Sequence, residues 1–161
     1  MRVVLRQSTE TRTGISVVKT AGAIDTFNIL GSRIHTIEST YCADGILTHR
    51  WFGEVFDEEI KEILGVHFVD AFIESKCTKL LADLSQWAAS WDGVNDFLRD
   101  DVMPRLFAAG LRHLAVFVKR DEGTEDHANR FALERFANEI DNVNASFFSE
   151  KAAVEWLRAR G

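Results

Sequence analysis

Residues 57–84 read DEEIKEILGVHFVDAFIESKCTKLLADL, and the fold turns on how this stretch divides. Its first twenty residues carry Ile60, Ile63, Leu64, Phe68, Ala71 and Phe72 at spacings of three and four, the signature of one helical face. Asp57 is placed to cap that helix, and Glu58 and Glu59 suit the positive end of its dipole. The pattern then changes. TKLLADL is a short apolar run without helical period, as expected of a strand covered on both faces. A helix followed directly by a two-sided strand is half of a parallel crossover unit, so the chain is expected to be an α/β domain.

The same alternation continues towards the C-terminus. Asp92 is a candidate cap for a helix bearing Val94, Phe97, Leu98, Val102, Met103, Leu106 and Phe107, with Pro104 predicting a kink or a meeting of two helices and Gly110 a stop. RHLAVFV is a second buried strand. TEDHANRFALERFANEI is a helix capped by Thr124, VNASFF an edge strand, and EKAAVEWLRARG a last helix capped by Ser149. On the N-terminal side, SRIHTIESTYCADGILTHRWF reads as a β-hairpin turning at Asp44-Gly45, a pair suited to a type I′ turn. The expected architecture is a mixed, mainly parallel sheet of about five strands, opened by this antiparallel hairpin and packed by helices. Residues 1–32, with four basic residues against Glu10 in the first twenty, form a peripheral strand or partly mobile extension, and residues 33–161 form the domain.

Composition narrows the function classes. With 161 residues, 46% hydrophobic and a single Pro, the chain has the make-up of one well-packed domain. The longest apolar runs, such as LAVFV at 114–118, fall far short of the ~20 residues of a membrane span. A net charge of −6 without a Lys/Arg cluster argues against nucleic acid and anionic lipid as partners. Cys42 and Cys77, with no secretory signal read in the chain, are expected to be reduced thiols in a cytoplasmic protein.

Chemistry-bearing motifs are sparse. There is no G-x-S-x-G, phosphate loop or paired-Cys motif, and the five histidines lack partners at metal-ligand spacing. No cofactor, metal site or catalytic residue is therefore assigned. An enzyme stands third among the function classes and requires Cys77, Asp83 and His67 to converge in space. His35 and His49 lie at unequal distances from the hairpin turn and are not expected to be direct cross-strand partners.

Aromatic side chains suggest more. Trp87 and Trp91 flank a connection that should be small and polar, and Trp51 and Phe56 lie near the end of the second hairpin strand. Either the tryptophans fold back over the core, or Trp51, Phe56, Trp87 and Trp91 line a pocket at the carboxyl ends of the parallel strands. The helix of 57–74 carries Val66, Val69 and Ile73 opposite its main stripe. That second greasy face predicts a homodimer interface.

Several segments together resemble a known family. ILTHRWFGEV (46–55), KLLADLSQW (79–87), DFLRDDVMPRLFAAGLRHLAVFV (96–118) and ASFFSEKAAVEWL (145–157) are similar to the SpoIIAA-like branch of the STAS fold, that of the bacterial anti-sigma factor antagonists. The shared positions are Gly53, Asp83, Pro104, Gly110 and Trp156-Leu157. The resemblance covers roughly residues 33–160 and implies a helix-packed sheet, self-association and no established enzymatic activity. Regulatory members carry a phosphorylatable serine at the helix after this strand. Here SWDGVN places Asp92-Gly93 there, with Ser90 out of register, so no phosphorylation site is expected. The leading expectation is a non-catalytic STAS-like interaction module, and the alternative is a carrier or sensor of an apolar small molecule or lipid.

Overall fold

The computed structural model describes residues 5–7, 13–119 and 144–160. They form an α/β fold around one mixed sheet. Its strands are β1 (Leu5–Gln7), β2 (Ser16–Thr20), β3 (Ala23–Phe27), β4 (Arg33–Glu38), β5 (Ile46–Gly53), β6 (Lys79–Trp87), β7 (His113–Phe117) and β8 (Asn144–Phe147). They lie side by side in chain order. The pairs from β1 to β5 are antiparallel, and those from β5 to β8 are parallel. Eight strands rather than about five arise because β1, β2 and β3, from the expected extension, continue the sheet on its antiparallel side.

The helix α1 spans 57–75 and joins β5 to β6; α2 spans 95–108 and joins β6 to β7; α3 is Glu150–Arg158. The helix expected at 124–140, with His127, lies outside the described residues. Adjacent residues of the parallel strands serve opposite faces, as the pleat requires. Leu47, Leu80 and Leu114 enter the larger core with α1 and α2, whereas Ile46, Leu81 and Ala115 meet Ala153, Val154 and Leu157 of α3. Both layers cover Lys79–Leu84, every residue of which is buried, as its apolar run predicts. Truncating fully buried Leu157 to Ala is worth about 2–5 kcal/mol at such a site.

Local chemistry explains the helix ends. Phe56, not Asp57, is the N-cap of α1, and its backbone N–H donates to Glu59 Oε1 at 2.9 Å. The Ser149 hydroxyl accepts from the Ala152 N–H, capping α3 as expected. Asp92 does not cap α2; Val94 holds that position without a side-chain bond. Where a kink or a meeting of two helices is expected at Pro104, a π-helical stretch, Leu98–Val102, lies immediately before Met103–Ala108, and such a widened turn accommodates a residue with no N–H.

A second π-helical stretch, Ile63–Phe68, lies inside α1 between Asp57–Glu62 and Val69–Ser75. Wider turns advance less per residue, so the helix beyond them is rotated back by about 100° relative to a uniform α-helix. That rotation carries Val69 from the outer face into the core, where it is 0% exposed. The expected dimer interface is thereby corrected. Val66 and Ile73 remain outside, 50% and 53% exposed, but Val69 is a core residue of the single subunit. The widened turn also leaves the Gly65 carbonyl free to accept from Arg105 of α2 at 2.7 Å, tying the two helices together.

Candidate functional site

The hairpin of β4 and β5 positions the most unusual group of side chains. Its connection is not a two-residue turn. A 3₁₀ turn, Cys42–Asp44, precedes Gly45, whose φ of 77° supplies the left-handed corner. The resulting register sets His35 opposite Trp51 and Ile37 opposite His49. His35 and His49 are thus not direct partners, but they are diagonal neighbours on one face. His35 Nε2 and His49 Nδ1 lie 3.0 Å apart.

Aromatic rings enclose this pair. His35 packs on Trp51 at 4.3 Å between centroids, and His49 stacks on Phe68 of α1 at 4.2 Å and 27°. Trp51 meets the edges of Trp87 and Trp91 at 5.1 and 5.6 Å, and those two stack on each other at 4.8 Å and 16°. The connection after β6 makes bends rather than a helical turn, and it folds Trp91 back on Trp87. Three of the four aromatic residues expected together therefore do meet. Phe56 does not: it caps α1 and is 74% exposed.

Burial governs the electrostatics. It holds both imidazoles neutral, His35 well below the ordinary histidine range and His49 down to about 3, although Asp83 pulls the latter slightly upward. Each ring faces the other as a potential positive neighbour, and for His35 this adds to the burial effect. Among the described residues, no hydrogen-bond partner reaches His35 Nδ1 or the indole N–H of Trp51 and Trp87. Unmet polar atoms at this density in a core are uncommon.

Beside the cluster lies a half-enclosed cavity of about 70 Å³. It runs beneath α1 and α2 along β6 from Leu80 to Leu84, within the core layer rather than at the carboxyl edge of the strands. His49, Phe68 and Trp91 form one wall, and Leu98, Met103 and Leu106 of α2 form another. Trp51 and Trp87 stand behind this wall and do not line the cavity.

The opposite face of the sheet carries a separate polar network. Arg50 Nε bonds Glu38 at 3.0 Å, while its Nη1 bonds Asp83 at 2.7 Å and Glu150 at 2.5 Å. Tyr41 donates to Glu150, and Asp83 accepts from the backbone N–H and hydroxyl of Ser85. Burial opposes the guanidinium charge, but the bonds to Glu150, Asp83 and Glu38 more than offset it and raise its pKa above the ordinary arginine value. This network is a clamp joining β4, β5, β6 and α3.

The residues required for the enzyme reading do not converge. Asp83 belongs to the Arg50 clamp, and Cys77 sits in the other core with its Sγ 3.8 Å from that of Cys42. His67 is half-buried on α1. Among the described residues no three His, Cys, Asp or Glu side chains are grouped to hold a metal ion, and no helix is long and apolar enough to cross a membrane. Ser90 is exposed, and its hydroxyl accepts from the Asp92 N–H. Compared with family models, curated proteins and solved structures, the chain matches none.

Proposed function

We propose that the protein is a non-catalytic binding module, related in design to the SpoIIAA-like proteins it resembles, that takes a small apolar molecule into the cavity beneath α2. The observation that carries this reading is the cavity itself. Cores are normally packed to crystal density, so a half-enclosed space bordered by Leu98, Met103 and Leu106 is a departure from ordinary packing. Titration with small hydrocarbons, followed by tryptophan fluorescence and native mass spectrometry, tests it. Trp91 lines the cavity, so its emission shifts on binding. Ala82 also lines it, and Ala82→Leu fills the space and abolishes the response while leaving the protein folded. A flat titration across the panel refutes the reading.

Self-association through α1 is the second reading, supported by exposed Val66 and Ile73. It ranks lower because the loss of Val69 to the core removes the centre of the expected interface. A stable interface buries over ~1,000 Å² in total.

A further inference from the structure

We infer that the ligand of this cavity is a small neutral molecule carrying one hydrogen-bond acceptor, a carbonyl oxygen above all, and that the Nε2–H of His49 receives it. The inference rests on the cavity-binding reading above and adds the chemical class of the ligand.

The argument starts from the single proton shared between His35 Nε2 and His49 Nδ1, 3.0 Å apart. Two arrangements of neutral rings are available. If His49 Nδ1 holds the proton, His35 must carry its own on Nδ1, a fully buried N–H with no acceptor among the described residues. Orphaned buried N–H groups are the deficit that folded proteins most avoid. If His35 Nε2 holds the proton instead, His35 Nδ1 is a bare lone pair, a milder deficit. His49 then accepts at Nδ1 and carries its proton on Nε2, on the ring that borders the half-enclosed cavity rather than on the one sealed in the core.

That N–H has no protein acceptor among the described residues, and water or a ligand in the cavity can meet it. His49 is 5% exposed and lines the cavity, its ring fixed by stacking on Phe68. Its bond to His35 is the one hydrogen bond the ring makes among the described residues. Asn95, at the start of α2, and the indole of Trp91 are the other polar groups of the lining; Asn95 is half-exposed and within reach of water, and Trp91 is buried. None of the described lining residues is charged, and His49 is itself neutral. A carboxylate would enter without a counter-charge, at prohibitive cost. A neutral acceptor satisfies the donor without that penalty.

Volume limits the body of the ligand. About 70 Å³ is roughly half of the ~150 Å³ that holds a benzene ring in a protein interior. By that scaling roughly three to five non-hydrogen atoms fit, or a slightly larger group if Met103, a flexible thioether chain, gives way.

The test uses the full chain with butanone and its alkene counterpart 2-methylbut-1-ene, which keeps the shape and lacks the acceptor. Histidine ¹⁵N spectra, which distinguish protonated from bare ring nitrogens, are expected to place the His49 proton on Nε2 and to show that resonance moving with butanone. In His49→Phe, which keeps a ring on Phe68, butanone is expected to bind about tenfold more weakly while the alkene is unchanged, the size of one ordinary hydrogen bond. Both compounds binding with no response at Nε2, or His49 protonated on Nδ1, overturns the donor assignment and leaves the cavity reading standing. Butyrate binding more tightly than butanone overturns the requirement for neutrality. Binding of none of the three removes the cavity reading and this inference with it.

Discussion

Lowering the pH from 8 to 5 forces a choice on His35 and His49 that an exposed histidine never faces. In the unfolded chain each has an ordinary affinity for protons, with a pKa near 6.5, and at pH 5 each is about 97% charged. In the folded protein burial keeps His49 neutral down to about pH 3, and His35 is likewise held well below its ordinary value. Between those limits the unfolded state binds more protons, so stability is fully present above pH 6.5 and is lost as pH falls. For His49 alone the loss from pH 8 to pH 5 comes to about 2 kcal/mol, and the slope near pH 5.5 is about 1.2 kcal/mol per pH unit. His35 adds to it in the same direction. For a domain of this size, 2 kcal/mol corresponds to roughly 4–8 °C in Tm. Urea unfolding at several pH values, on the wild type and on His35→Leu/His49→Leu, isolates the pair, because His67, His113 and the carboxylates contribute equally to both proteins. The difference between the two stability curves should fall by at least about 2 kcal/mol on acidification. A difference curve flat to within about 0.5 kcal/mol refutes the neutral buried pair, and one that rises refutes the sign of the argument.

Three further outcomes follow from the packing. Val69→Glu should unfold the protein or cost more than about 4 kcal/mol, because it buries a charge in the α1 core, whereas Val66→Glu on the outer face should change stability by under about 0.5 kcal/mol; circular dichroism melts separate them. Arg50→Met strands Asp83 among Glu38 and Glu150 without their cation and should cost about 3–5 kcal/mol in urea unfolding at pH 7; a loss under about 1 kcal/mol refutes the clamp. Burial, the bond to Cys77 and the charge of that thiol push Cys42 up to about 11, so its alkylation by iodoacetamide at pH 8 should run roughly a hundredfold slower than that of an ordinary thiol; labelling at the ordinary rate overturns that environment.

Elements whose residues interact mainly with their own sheet were legible in the amino-acid order. The two-sided burial of Lys79–Leu84 is written in an unbroken apolar run, and the cap at Ser149 in one hydroxyl before a helical stripe. Failures came where backbone geometry departs from its uniform period. Reading α1 as an even helix puts Val69 outside, and only the extra room of Ile63–Phe68 brings it in. Glycine at position 65 is a faint sign of that departure. A Cβ there would meet the Phe97 ring at 2.9 Å, so the close approach of α2 depends on its absence.

The histidine pair was hidden by a similar error of phase. A two-residue turn at Asp44-Gly45 would pair Ala43 with Ile46 and therefore His49 with Thr40, five residues from His35. An odd separation puts the two rings on opposite faces of the sheet. The 3₁₀ turn shifts the register so that His49 lies opposite Ile37, two residues from His35, and the rings meet. Three extra residues of turn thus decide whether this core contains a polar pair at all. The tryptophans, by contrast, announce themselves in the sequence, yet only Trp91 touches the cavity. Residues visible for their rarity supply part of the wall, and the donor proposed for a ligand belongs to a histidine whose place depends on a turn. Whether this core holds the polar pair is therefore a property of strand register, and a slip of β4 against β5 by one residue would turn His35 away from His49 only by also exchanging the faces that Ile34 and Ile37 present.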